Sequence, residues 1–340
     1  MKEGVSIIIC CFNSALLIKK TLEFIAAQKY EGIRCEVILV DNASSDHTAV
    51  TAAQAWASAG NKEIYFRIVT EQMPGLSYAR RKGIAESNFE YLIFCDDDNL
   101  LDGNYVQNCW DLFQSNPHVA ILGGWGTAEF EDPKAKPLWF DKFYHSYALG
   151  GQAQEESLVN VVYGAGMTAR KSVLATVMAG QDMFLHGRKG GQLSAGEDSE
   201  ICYRVRLAGH HILYSPSLTF SHFLPKGRLN WPYLKKLSAG FAKTFVVLNL
   251  YEKVLNEGNE RLSLFYWMKK AFYYWGIYIK YWPKHYSAYK KGEGTIEEIH
   301  NLTWKNIALS YFEYNFETVT IYKKIAELKE NISRTGQDAI

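Results

Sequence analysis

Four short apolar runs dominate the first hundred residues: VSIIICCF (Val5–Phe12), CEVILVDN (Cys35–Asn42), IYFRIVT (Ile64–Thr70) and EYLIFC (Glu90–Cys95). They are continuous rather than alternating, so each reads as a strand buried on both faces. Helical patterns fill the gaps at Ser14–Gln28, with Ser14 as N-cap, at Ser44–Gly60 and at Gly75–Ser87. Strands and helices that alternate in this way predict a mostly parallel α/β sheet flanked by helices. The pattern resumes with a helix over Asn104–Ser115, a strand over Val119–Gly124 and a strand, turn and helix over Leu158–Met178. A helix from about Glu197 to Ala208 and the strand HILYSPSLTFSHF close the sheet. Between them, Gly126–Ser157 loses periodicity and is rich in aromatic residues and acids.

The 340 residues suffice for one large domain or two, and 48% apolar residues for a substantial core. A net charge of +1 argues against nucleic acid as a partner. The charge is unevenly spread. Met1–Pro225 holds 19 basic and 25 acidic residues (−6), whereas Lys226–Gly294 holds 13 basic and 4 acidic ones (+9). Character changes near 225, where the pattern turns wholly helical. The expected organisation is therefore a domain over 1–225, with halves of about 1–125 and 126–225, and a helical region over 226–340. No two of the six cysteines have C-x-x-C spacing, and most sit in apolar runs, as small core residues do in a reducing compartment. The first strand begins too early for a signal peptide, and no apolar run reaches the roughly 18 residues of a spanning helix.

Three aspartates, Asp96, Asp97 and Asp98, end the fourth strand. Neighbouring carboxylates raise one another's pKa unless a cation or hydrogen bonds intervene. They read either as a solvated turn with an Asp cap or as a ligand site. Ligands of open α/β sheets bind outside the carboxyl ends of the strands, and Phe12, Asn13 and Asp41 lie on that same rim. Two carboxylates one residue apart can serve one metal–diphosphate unit. Glycine-rich phosphate loops of the G-x-x-x-x-G-K-[ST] and G-x-G-x-x-G types are absent. A second acid pair, Glu197 and Asp198, opens a helix. The helix dipole accounts for acids there, and so does a general base that deprotonates a hydroxyl. The preceding HGRKGGQLSAG predicts a mobile loop of the kind that forms active-site lids. Arg204 lies two turns beyond Glu197 on the same face. His222 reads as a packed histidine, or as a metal ligand if its strand end meets Asp98.

Taken together, residues Val5–Phe223 resemble the family 2 glycosyltransferases of the GT-A fold. EVILVDNASSDHTAV is similar to that family's acidic strand end and Ser-x-Asp-x-Thr turn, PGLSYARRKGIAES to its Ala-Arg-Asn helix with Arg81 in place of Asn, FCDDDN to its Asp-x-Asp motif and GEDSEICYRVRLAG to its acid-pair helix. The resemblance implies an inverting transferase that uses a nucleotide-diphosphate sugar, UDP-linked by preference, and a glycan or lipid-linked acceptor in cell-surface polysaccharide synthesis. It implies Phe12 and Asp41 at the nucleobase, with Asn13 in the same turn, and Arg80 near the nucleotide. Asp96 would meet ribose or the metal's water shell, beside Asp97. Asp98, with His222, would bind Mn2+ or Mg2+. Asp198 would be the catalytic base, supported by Glu197. A sugar-phosphate nucleotidyltransferase and a non-catalytic nucleotide-sugar-binding module are the alternatives. The first lacks its glycine-rich activating loop here, and the second needs no acid pair.

Ten of the eighteen residues from Phe265 to Trp282 are aromatic, with Lys269, Lys270 and Lys280 among them. Such a stretch suits either the headgroup zone of a membrane or packing on the first domain. The +9 charge supports an anionic surface or a lipid diphosphate acceptor; the expected place is cytoplasmic, with residues 226–294 either peripheral on the inner membrane face or packed on the first domain.

Overall fold

In a computed structural model, residues 2–61, 63–179, 182–185, 187, 196–257 and 261–337 are described. Strands β1 (Lys2–Cys11), β2 (Cys35–Asp41), β3 (Tyr65–Thr70) and β4 (Phe89–Asp96) alternate with helices α1 (Ile18–Ala26), α2 (Thr48–Ala59) and α3 (Leu76–Glu86). All three pairings among these strands are parallel, in the order β3-β2-β1-β4. The chain continues through β5 (Asn99–Leu101), α4 (Tyr105–Ser115), β6 (Val119–Phe130), β7 (Ser157–Leu158), β8 (Thr168–Arg170), α5 (Lys171–Val177), α6 (Glu197–Leu207) and β9 (His211–Leu224). This second half extends the sheet as β8-β6-β9-β5, with β7 beside β9. Pairing there is mixed: β6 and β9 run parallel, whereas β8, β5 and β7 pair antiparallel.

The apolar runs are continuous because successive side chains enter different cores. Ile8, Ile38, Val40, Leu92 and Phe94 point to one face, with α3, α5 and α6. Ile7, Ile9, Val37, Leu39 and Ile93 point to the other, with α1, α2 and α4. On α1, Ile18, Leu22 and Ile25 are wholly buried, each worth roughly 1.5–3 kcal/mol by transfer. Helix α3 lies unusually close to the sheet: a Cβ at Gly83 would come within 2.3 Å of Ile8 Cγ2. A larger side chain there would push away the helix that carries Arg80.

Two expectations change locally. Helix α1 starts at Ile18 rather than Ser14, and its N-cap is Leu17. Ser14 sits in the preceding turn, where its carbonyl accepts from Leu17 and Ile18 while its hydroxyl is directed elsewhere. Strand β6 extends six residues beyond Gly124, pairing with β9 as far as Phe130 and Leu224, and the irregular stretch that follows contains short 3-10 turns.

Helices α7 (Trp231–Glu257), α8 (Tyr266–Tyr289), α9 (Ile296–Tyr314) and α10 (Glu317–Gln337) complete the chain. Val247, Leu250 and Tyr251 of α7 and Ile325 and Leu328 of α10 enter the core on the α5–α6 face of the sheet. Helix α8 packs instead on α9, by ring contacts such as Tyr274 on Tyr311 and Tyr281 on Trp304. Among the described residues, no helix is long and apolar enough to cross a membrane.

Candidate active site

The carboxyl ends of β1, β2 and β4 lie side by side, since Cys11 is in register with Asp41 and Cys10 with Asp96. The Ser-x-Asp-x-Thr turn after β2 holds the turn after β1. Ser44 Oγ accepts from the Asn13 N–H at 3.0 Å, Thr48 Oγ1 from Ser14 at 2.7 Å and Asp46 Oδ2 from Ala15 at 3.1 Å. Asn13 has φ 55°, and its Oδ1 accepts from the Ser45 N–H at 2.8 Å. Phe12 is left half exposed on the rim. Asp41 Oδ1 accepts from the Ser44 N–H at 3.2 Å. Asn42 accepts from the Gly75 N–H at 2.7 Å and donates to the Met73 carbonyl at 2.7 Å, which fixes the entry to α3.

The three aspartates take three different partners. Asp96 faces Arg80, with Oδ1 3.7 Å from Nη2. Asp97 accepts from the Ser14 hydroxyl, and its carbonyl accepts from Thr21 Oγ1 at 2.7 Å. Burial, and then the neighbouring Asp98, push the Asp97 carboxyl up to about 7. Asp98 is buried. Its Oδ2 lies 2.8 Å from Arg228 Nη1 and 3.4 Å from His222 Nε2. Burial opposes the Asp98 charge, but His222 and Arg228 outweigh it and hold the carboxyl well below the usual range. His222 stands opposite Asn99 in the β5–β9 ladder, and its Nδ1 lies 2.8 Å from the Tyr147 carbonyl. That bond presents Nε2 to Asp98. Burial lowers the His222 pKa, but Asp98 more than offsets it and the net shift is upward.

The acid pair meets this rim through Arg80. Its Nη1 donates to Glu197 Oε1 at 2.9 Å, with both side chains about 5% exposed, and its guanidinium lies over the Phe94 ring. Burial opposes the Arg80 charge, yet Glu197 and then Asp96 raise its pKa above the ordinary value. Asp198 is half-buried and held by two backbone amides: Gly164 N–H donates to Oδ2 and Ser199 N–H to Oδ1, both at 2.7 Å. A Cβ at Gly164 would stand 2.9 Å from Arg80 Nη2 and 3.0 Å from Asp198 Oδ2. Only glycine leaves room for both side chains at that point.

Several residues of the site carry little signal in the sequence. Gly164, Ser14, Thr21 and Arg228 act across the fold, and only the short spacing of the YGAGM turn hints at the first. Glu200 is another. It accepts from Arg204, from Tyr251 and from the Phe184 and Leu185 amides, so it ties α6 to α7. The ion pair of Arg204 is thus with Glu200. Most of the expected lid, HGRKGGQLSAG, lies outside the described residues. A cleft of about 840 Å³ is lined by Phe184, Tyr314, Ile321 and Lys324 on α9, α10 and the segment before α6, and no residue of the acidic rim lines it.

Among the described residues no three His, Cys, Asp or Glu side chains gather to hold a metal ion alone. Asp98 and His222 offer two donors, which suits a hard cation that keeps part of its shell for water and phosphate. Arg228 shares the Asp98 oxygen.

The arrangement gathers paired acids and bases at the rim and holds one carboxylate, Asp198, in a fixed orientation by two amides. Comparison with known proteins bears on the family and the fold. The glucosyl-dolichyl phosphate glucuronosyltransferase of Haloferax volcanii is 23% identical over 267 residues, 76% of this chain and 82% of that protein. The poly-beta-1,6-N-acetyl-D-glucosamine synthase of Staphylococcus aureus is 22% identical over 218 residues, 63% of this chain, which spans about half (48%) of the synthase. A solved structure of GalNAc-T7 with UDP, GalNAc and Mn2+ superposes with a TM-score of 0.50 at 14% identity, over 74% of this chain and 51% of that one, a likeness of the GT-A fold. The Glycosyl transferase family 2 model matches residues 6–177, half of the chain, and with it this chain belongs to glycosyl transferase family 2.

Proposed function

We propose that the protein transfers a sugar from a nucleotide-diphosphate sugar, UDP-linked, to a hydroxyl of a glycan or lipid-linked acceptor in cell-surface polysaccharide synthesis, with inversion at the anomeric carbon. One observation carries this reading: Arg80 touches both Glu197 of the acid pair and Asp96 of the aspartate triplet, so donor-binding and base functions share one site. The domain reading follows: a unit over 1–225 with a donor half to about 125 and an acceptor half beyond, then helices that meet the cytoplasmic face of a membrane.

In the reaction, Asp198 Oδ2 accepts the proton of the acceptor hydroxyl. The oxygen attacks the anomeric carbon as the bond to the diphosphate oxygen breaks on the opposite face. The Gly164 and Ser199 amides keep the carboxylate aimed, and Glu197 with Arg80 fixes the start of α6. Phe12 stacks on the base beside Asp41. Asn13 and Asp97 hold the turns that carry these groups. Asp98 and His222, with Asp96 nearby, would hold Mn2+ or Mg2+, which when bound neutralises diphosphate charge.

Asp198→Asn keeps the size and removes the base. Donor binding by calorimetry is expected to persist while transfer falls by about 10²–10⁴-fold. Transfer within twofold of wild type would overturn the role of Asp198. Asp98→Ala is expected to lose metal-dependent donor binding, and tight metal-independent binding by that variant would contradict the metal assignment.

A further inference from the structure

Helix α8 presents a bare apolar stripe. Phe265, Phe272, Ile279 and Tyr286 recur every seven residues on one side, each more than half exposed. Tyr273, Trp282 and Tyr289 flank them, also exposed. Spacing of seven places these side chains along one line two turns apart. The opposite side of the helix is occupied by α9, where Trp267 meets Phe312 and Phe316, and Tyr266 and Tyr274 meet Tyr311. Only Ala271 and Ala288 of α8 are fully buried. The stripe continues onto α9 through the edge contact of Phe272 with Phe312, itself exposed.

Charge says what covers it. Residues 261–292 carry seven Lys or Arg and no Asp or Glu. Lys269, Lys280, Lys284 and Lys290 of this helix are exposed; Lys290 lies 4.7 Å from the ring of Tyr286 in the stripe, and Lys280 and Lys284 lie over the ring of Tyr281 beside it. Long cationic stems over aromatic bodies keep the charge in the headgroup layer while apolar tips enter the acyl boundary.

We infer that the outer face of α8 docks in the plane of an anionic lipid surface. Phe265, Phe272, Ile279 and Tyr286 are the inserted residues and Lys269, Lys280, Lys284 and Lys290 the headgroup contacts. This specifies the membrane contact of the proposed function without resting on the transfer reaction. The patch needs no partner protein to complete it: a second copy would bring the same positive charge face to face, which a monolayer of anionic headgroups does not.

The test is sedimentation of the full chain with phosphatidylglycerol–phosphatidylcholine vesicles and with phosphatidylcholine vesicles. Wild type is expected to bind the anionic vesicles about tenfold more tightly, with the difference shrinking at high salt. The triple serine variant at Phe272, Ile279 and Tyr286 and the glutamate variant at Lys269, Lys280 and Lys284 should each lose at least that tenfold. Leu138→Ser, at a fully exposed site elsewhere, should not. All these positions are exposed, so circular dichroism and donor hydrolysis should be unchanged. The inactive Asp198→Asn protein should bind vesicles like wild type, which separates failure of this inference from failure of the reaction assignment. Wild type that ignores anionic vesicles would overturn it. So would variants that bind equally, or a dimer in lipid-free ultracentrifugation that the serine substitutions abolish.

Discussion

Replacing Arg80 by Met is the sharpest test of the site's electrostatics. Methionine keeps much of the apolar stem and removes the guanidinium, and with it the cation over the Phe94 ring. Glu197, about 5% exposed, then loses its 2.9 Å partner. Removing one member of a buried ion pair costs about 3–5 kcal/mol, because the remaining charge stays desolvated. Asp96, 3.7 Å away and a third exposed, adds little, since water can replace the interaction. For a chain of 340 residues the loss should lower Tm by roughly 5 °C. The pH dependence has a definite sign. In wild type the Arg80 pKa is raised, so its contribution is present below the unfolded value and is lost only as pH rises past the folded one, beyond the working range. Thermal unfolding of Arg80→Met, Glu197→Gln and the double variant gives the coupling directly. The double variant should recover most of the loss, because a neutral amide needs no counter-charge. A loss under about 1 kcal/mol in Arg80→Met, or strict additivity in the double variant, would refute the claim that these two residues form one buried unit.

Two further outcomes follow. Arg228 competes for the Asp98 oxygen at 2.8 Å, so Arg228→Ala should tighten Mn2+ binding by the nucleotide-free protein about tenfold, read by electron paramagnetic resonance; unchanged or weaker binding would remove Arg228 as a competitor. Burial first, then Arg170, His211 and His118, depress the His210 pKa. A histidine held neutral in the fold loses stability as pH falls below about 6.5, so His210→Gln should flatten the decline between pH 7 and 5, and parallel curves would show that His210 plays no part in it.

The continuous apolar runs and their helical spacers were enough to determine a layered sheet, because strands of that composition must be buried on both faces. The same reading located the acids, since residues ending those strands lie on one rim whatever their neighbours. It could not assign partners. Three consecutive carboxylates are alike in sequence, yet Asp96 turns to Arg80, Asp97 to Ser14, and Asp98 to His222 and Arg228. Arg228 lies 130 residues from Asp98, so only the β5–β9 pairing and the turn after it bring them together. Ser14 shows the limit most clearly. Local rules make it a helix cap, but its hydroxyl oxygen accepts from the Phe12 N–H and its proton goes to Asp97, so it ties the turn after β1 to the aspartates instead of capping α1. Backbone pattern is local and survives in the chain; charge partnership depends on burial and distance, and those exist only once the sheet has closed.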